Sequence, residues 1–222
     1  QFCPHPALLH VDPFQPIIDE DLEPGDILYI PPGFPHDGFT HETAFNYSIG
    51  FRGPNGRDLI SSFADYALEN DLGGEHYSDP DLTCREHTGR VEEYELERVR
   101  SMMISMINDP EHFNRWFGSF ITTPRHELDV APEPDDYPVD EVIGALKEGQ
   151  RLTRLSGLRA LRVGDRFFIN SECLETAEPQ AADALCRYTS IGVQELGSAL
   201  DNPAFADELT WLVNQGYWYF ED

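Results

Sequence analysis

Nowhere in the 222 residues is there an apolar run approaching the ~18–20 residues that a membrane span requires, so no helical span is expected. Basic residues are scarce: 15 Lys and Arg stand against 41 Asp and Glu, a formal charge of −26. Nucleic-acid affinity comes largely from Lys and Arg displacing condensed counterions, so a surface this acidic repels phosphate backbones. It attracts basic partners and speeds their encounter, although the same charge also serves plain solubility; composition leaves both readings open. The four cysteines, Cys3, Cys84, Cys173 and Cys186, form no C-x-x-C pair. That argues against a zinc site and a disulfide framework and fits a reducing cytosol, hence a cytoplasmic protein. Internal repeats and long low-complexity tracts are absent. The opening Gln1-Phe2-Cys3-Pro4-His5-Pro6 has no charged start followed by an apolar stretch, so no signal peptide is expected. With Gln in first place, the chain is expected to begin in mid-protein.

What is present falls into regions of different character. Residues 1–53 read as strands and turns: Ile17-Ile18, Asp26 to Ile30 and Ala44 to Phe51 are β-prone, separated by Pro24-Gly25 and Pro31-Pro32-Gly33. Closely spaced short strands suggest a sandwich or barrel, but three cannot close one. Such open strand edges invite association between chains.

Residues 54–126 turn helical. Asp58 to Asn70 carries Leu59, Phe63, Tyr66 and Ala67 at roughly helical spacing. Val91 to Asn108 repeats the pattern with Leu96, Val99, Met102, Met103 and Met106. A third helix, Pro110 to Ile121, is opened by Asp109 as N-cap and Pro110 at the first position. Its Phe113, Trp116, Phe117 and Phe120, with the Met-rich face before them, serve as core or as a homodimer interface. Residues 127–137 form a Pro- and Asp-rich linker. In residues 138–222, helices are predicted at Val139 to Glu148, Pro179 to Arg187, Val193 to Leu200 and Pro203 to Asn214. Two or three strands are predicted in Leu152 to Ile169, and a last aromatic strand at Gly216 to Phe220. That order resembles a winged helix. The candidate recognition helix from Pro203 contains Asp207 and Glu208 and no Lys or Arg, so direct nucleic-acid binding is not expected.

The chemistry is concentrated in Leu22 to Gly38. A turn at Pro24-Gly25, a buried strand, a second turn at Pro31-Pro32-Gly33 and then His36 place an imidazole at the start of the next strand. From there it can point into the mouth of a β-barrel. Neutral imidazole suits iron, and two His with one carboxylate leave coordination positions open. A lone histidine at a strand start also serves structural roles, and spacing alone leaves both open. In Phe45 to Phe51 the alternation sets Phe45, Tyr47, Ile49 and Phe51 against Asn46, Ser48 and Gly50. If the small polar set lines the interior, Asn46 and Ser48 contact cosubstrate or substrate; otherwise they satisfy buried backbone or water.

Pro24-Gly25-Asp26, Leu28 to Gly33 and His36 together resemble the "PGD-ΦΦYΦPPG-x-x-H" segment of JmjC-type oxygenases. Asp12-Pro13-Phe14, Asn46 to Arg52, Phe63 to Tyr66, Tyr77 to Pro80, Trp116 to Gly118 and Leu212 to Phe220 are similar to the bacterial ribosomal oxygenases of that family. The resemblance implies an α+β chain: the C-terminal part of a double-stranded β-helix (cupin/JmjC), a helical dimerisation region and a winged-helix-like domain. It implies a hydroxylase dependent on iron(II) and 2-oxoglutarate and acting on an arginine of a large-subunit ribosomal protein, a basic partner that suits the acidic surface. His36 would be the distal ligand of the iron triad.

The family pattern also needs an upstream His-x-Asp/Glu and a basic residue for 2-oxoglutarate. His10-Val11-Asp12 offers the letters, but only 23 residues separate Asp12 from His36, interrupted by Pro13, Pro16 and Pro24. Several intervening strands at ~5–6 residues each, plus turns, would need roughly twice that. The interval also lacks any Lys or Arg. The expectation is one iron ligand of three in this chain and no turnover by residues 1–222 alone. A non-catalytic acidic dimeric adaptor for a basic protein is the competing reading, decided by whether an upstream His-x-Asp exists.

Overall fold

The computed structural model describes residues 14–51, 53–132 and 134–221 and divides into two compact units, Gln1–Gly53 and Pro54–Asp222. In the first unit both Pro-Gly turns form. The Asp26 amide donates to the Glu23 carbonyl at 3.0 Å and the Phe34 amide to Pro31 at 3.3 Å. Gly25 (φ 103°) and Gly33 (φ 85°) take the positive φ that a type II turn requires at its third residue.

The strands expected around those turns do not form. Among the described residues of this unit no segment pairs with another, and none of a double-stranded β-helix is assembled. Ile27 is 94% exposed and Phe45 92%. β-Propensity chiefly reflects packing against cross-strand and same-face neighbours, and these runs have none within the described chain.

The second unit begins with three helices, α1 (Gly56–Glu69), α2 (Glu93–Ile107) and α3 (Pro110–Thr122). Local chemistry starts two of them. The Asn55 side chain accepts the Arg57 and Asp58 amides, and Asp109 accepts those of Glu111 and His112 ahead of Pro110. Of the α3 aromatics, Trp116 is buried inside the chain and Phe113, Phe117 and Phe120 are half-buried. Trp116 packs edge-on against Phe63 of α1 at 5.1 Å between ring centres, and its indole N–H donates to Ser62 at 3.0 Å.

After α4 (Val139–Lys147) come β1 (Leu152–Arg154) and a meander of β2 (Ala160–Val163), β3 (Arg166–Ile169) and β4 (Glu172–Glu175). Then follow α5 (Pro179–Arg187), β5 (Ser190–Ile191), α6 (Val193–Leu196) with a 3₁₀ turn Gly197–Asp201, α7 (Pro203–Asn214) and β6 (Trp218–Phe220). One antiparallel sheet runs β5-β1-β6 and the other β2-β3-β4. β3 is buried on both faces. Phe167 and Ile169 enter the main core with Leu152, Leu185, Phe205 and Trp218, while Phe168 meets Gly118 of α3. The hairpin between β3 and β4 turns on Asn170 (φ 50°) and Ser171 (φ 69°), two residues in the left-handed region. Ser171 is held there by its amide, which donates to Thr122 of α3 at 3.2 Å, and Asn170 by its side-chain amide, which donates to the Tyr217 hydroxyl at 3.1 Å.

The segment expected as a linker is anchored to this domain at three points. Leu128, Val130 and Tyr137 lean on the core, and Asn214 clamps the Tyr137 backbone by accepting its amide at 2.9 Å and donating to its carbonyl at 3.2 Å. The approach is close enough that a Cβ on Gly216 (φ 72°) would stand 2.2 Å from the Ala131 carbonyl oxygen.

α7 carries an oddity: Glu208 is only 8% exposed, and neither carboxylate oxygen has a hydrogen bond of normal geometry. The Thr176 hydroxyl and Ala177 amide are near, but burial dominates and pushes the Glu208 carboxyl above its ordinary range. A carboxyl raised in the folded state adds stability that is fully present below its unfolded pKa and is lost as pH climbs through the folded value. Glu208→Gln should therefore raise stability at pH 7 by about 1 kcal/mol and leave it little changed near pH 4. Urea unfolding at both pH values checks this, and equal effects at the two would contradict it.

Candidate oxygenase site

In the first unit His36 follows the second turn, and its Nδ1 lies 3.5 Å from the Phe34 carbonyl oxygen, a marginal contact for an exposed ring. Asn46 and Ser48 are exposed as well, and so are Phe45 and Tyr47 beside them. Burial therefore separates no inner from outer set along this segment. Residues 14–51 contain seven carboxylates and no Lys or Arg, so nothing there would hold the distal carboxylate of 2-oxoglutarate. His41 approaches Asp21 at 3.4 Å, both exposed.

Among the described residues no three His, Cys, Asp or Glu side chains gather into a metal site. The imidazole of His36 is a suitable iron donor, but one donor does not make a centre that needs two His and a carboxylate. The described residues alone do not fit an iron site. His10, Asp12 and Cys3 lie outside the described residues.

A second constellation, which the sequence pattern did not single out as a site, lies beside α2. Residues 74–92 run along that helix and are fastened by two arginines. Arg85 forks onto Glu95 at 2.9 and 2.7 Å, while Arg98 reaches Ser78 at 3.0 Å, Asp79 at 2.7 Å and Asp81 at 3.1 Å. The Arg85 fork and the Glu92 amide hold the Glu95 carboxyl down to about 2. The only legible hint had been Tyr77-Ser78-Asp79-Pro80, noted for its likeness to the ribosomal oxygenases.

Comparison with known proteins connects the parts. A JmjC domain model matches residues 1–59, and a ROXA-like winged helix model matches residues 105–219, just over half the chain. The chain belongs to the ROXA-like winged-helix family. The ribosomal protein uL16 3-hydroxylase of Escherichia coli is 54% identical over 221 residues, covering 100% of this chain and 59% of the relative. A probable ribosomal oxygenase of Haemophilus influenzae is 27% identical over 192 residues, covering 78% of the chain and 45% of the relative. The structure of YcfD, a ribosomal oxygenase from E. coli, in complex with cobalt and 2-oxoglutarate superposes with a TM-score of 0.88 at 53% identity. That match covers 97% of this chain and 60% of the other. This ROXA-like chain thus spans about three-fifths of the length of its E. coli relative. The winged-helix match begins inside α2 and takes in α3, consistent with the seating of α3 on the β2-β3-β4 sheet.

Proposed function

We propose that this ROXA-like chain works in a 2-oxoglutarate-dependent oxygenase that uses iron(II) to hydroxylate an arginine of a large-subunit ribosomal protein. The observation that carries the reading is 54% identity along the whole chain to a ribosomal protein uL16 hydroxylase, with His36 standing in the JmjC motif. His36 is one iron ligand. The other two ligands and the group that clamps 2-oxoglutarate come from outside residues 14–221. The metal, when bound, supplies the oxidative chemistry. Asn46 and Ser48 orient cosubstrate or the target side chain, and the rest of the barrel covers Ile27, Phe45 and their exposed neighbours. The charge of −26 favours a basic ribosomal protein. α7 is buried at seven of its positions, including Glu208, which leaves little of it to enter a DNA groove. No helix among the described residues is long and apolar enough to cross a membrane. A cytoplasmic location is part of the proposal, since that is where a ribosomal substrate would be met.

The test is 2-oxoglutarate turnover with iron(II), read as a +16 Da shift on recombinant uL16. Residues 1–222 alone should be silent, and the same chain extended upstream with a JmjC segment carrying His-x-Asp/Glu should be active. Silence from a folded, iron-loaded extended chain would favour the second reading, a non-catalytic acidic adaptor, which rests on the incomplete donor set.

A homodimer is part of the proposal. With Trp116 buried and the other α3 aromatics half-buried, the exposed apolar stripe on α2 is Leu96, Val99, Met103 and Ile107, with Ile104 alongside, Met103 being 61% exposed. The first four of these positions recur at i, i+3, i+7 and i+11, one face of a helix, which water penalises unless a partner covers it. Val99→Asp with Met103→Asp should convert the protein to monomers in light scattering at micromolar concentration. A monomeric parent chain under the same conditions would remove the dimer from the reading.

A further inference from the structure

Between residues 74–81 and α2 lies an open groove of about 580 Å³, lined by Tyr77, Tyr94 and Met102 with Glu75, Glu97 and Arg98. Arg98 brings positive charge, but that charge is already committed to Asp79 and Asp81 at 2.7 and 3.1 Å, and its guanidinium stands over one face of the Tyr94 ring at 5.9 Å. Asp79 is buried, its side chain 9% exposed, and its second oxygen has no hydrogen bond of normal geometry. Desolvation first, and then the nearby Asp79 charge, raises the phenols of Tyr77 and Tyr94. Glu97 is held by Arg100 at 2.6 Å in a pair exposed on both sides, the kind that solvent or another cation readily replaces. Glu75 has no ion pair among the described residues. Taken together the walls are aromatic and the carboxylates around them outnumber the cations.

We infer that this groove is a docking site for an arginine or lysine side chain presented by a basic polypeptide segment of a partner protein. Phenol faces attract a cation through the ring quadrupole, and the attraction grows as the cation leaves water; with Arg98 on one face of Tyr94, the incoming cation uses the Tyr77 ring and the other face of Tyr94. The long apolar stem of Arg or Lys suits Met102 and the tyrosine rings while its head meets Glu75 and Glu97. An anionic ligand would be opposed by the same carboxylates and by the net charge of −26. The groove is also separate from self-association. Of its α2 residues, Tyr94, Arg98, Ser101 and Met102 recur at i, i+4, i+7 and i+8, on the side of the helix opposite the stripe of Leu96, Val99, Met103 and Ile107, and Glu97 stands at the edge between the two faces. The inference stands on the groove and not on the oxygenase reading, so turnover can fail while docking holds, and the reverse.

The chain has three methionines, Met102, Met103 and Met106, which makes the test direct. Met102 lines the groove, Met103 lies on the bare stripe, and Met106 packs against Gly73. The full chain, labelled with ¹³C at the methionine methyls, is titrated with a capped peptide of alternating Gly and Arg. The Met102 methyl should shift saturably, Met103 should stay, and an unmoved Met106 reports an intact fold. Tyr94→Leu, and separately Glu75→Gln with Glu97→Gln, should weaken binding about three- to tenfold, while Tyr94→Phe keeps it. A shift of Met103 without Met102 would overturn the assignment. So would binding that is salt-sensitive yet unchanged in Tyr94→Leu, since that describes diffuse surface charge. Saturation by spermidine at the same concentration as the peptide would overturn the polypeptide partner.

Discussion

Gly118→Val should destabilise the second unit by about 3 kcal/mol or more, with the urea midpoint falling and α3 losing its seat. A Cβ at this position would stand 2.5 Å from three ring atoms of Phe168, a side chain with no exposure. Phe168 cannot retreat freely, because β3 is pinned on both edges by β2 and β4 and its other face is filled by Phe167 and Ile169. The helix cannot lift cheaply either. Buried Thr122 donates to the Gly118 carbonyl at 2.8 Å and accepts the Ser171 amide at 3.2 Å, so displacement breaks the tie that holds the positive-φ hairpin. Gly118→Ala isolates the balance of terms. Alanine gains up to about 1 kcal/mol of helix propensity against about 1–3 kcal/mol of overpacking, and the clash should win. A smaller partner is the control: in Gly118→Val with Phe168→Leu, the loss should be smaller than the sum of the two single changes by about 1 kcal/mol. A Gly118→Val chain as stable as its parent would mean that α3 does not sit on the sheet as described.

Helix ends were the most legible feature, because a cap is decided by residues three apart. Asp109-Pro110 and Asn202-Pro203 mark starts that the structure places at Pro110 and Pro203. Sheet pairing was less legible. β4 is Glu-Cys-Leu-Glu, with no β-branched residue, and it exists because Asn170 and Ser171 turn the chain back under the hold of Thr122 and Tyr217. β5 is two residues long and is defined by Leu152 opposite Ile191. In residues 14–51 the error ran the other way: strong β-prone letters formed no ladder, since pairing is a property of two segments. The seating of residues 127–137 turned on Gly157, Asn214 and Gly216, distant positions whose closeness no local pattern announces. The candidate site divides likewise. His36 was legible from its motif, whereas the groove beside α2 depends on Arg85 and Arg98 folding a loop back onto a helix.

His36→Ala, in a chain extended to supply the remaining iron ligands, should reduce hydroxylation by at least about 100-fold while leaving folding intact. Within the described residues His36 is exposed and makes only the 3.5 Å approach to its neighbour Phe34. In the extended chain, where barrel strands cover this segment, an unchanged urea midpoint separates a chemical effect from lost packing, and a fall in activity then reports the donor atom. An imidazole removed from a three-ligand set leaves two and weakens the hold on a divalent metal. Metal affinity, followed by cobalt absorption in the extended chain, should drop in parallel with turnover. Asn46→Ala and Ser48→Ala should leave metal binding alone and act on the KM for 2-oxoglutarate or for the ribosomal protein, because an orienting side chain contributes to binding and not to the metal's donor set. The combination of outcomes is what discriminates. Lost turnover with retained cobalt binding in His36→Ala would make this histidine structural and shift the iron to other donors. Unchanged turnover in all three variants would detach the chemistry from this segment altogether, leaving residues 14–51 as scaffold beside a site built elsewhere.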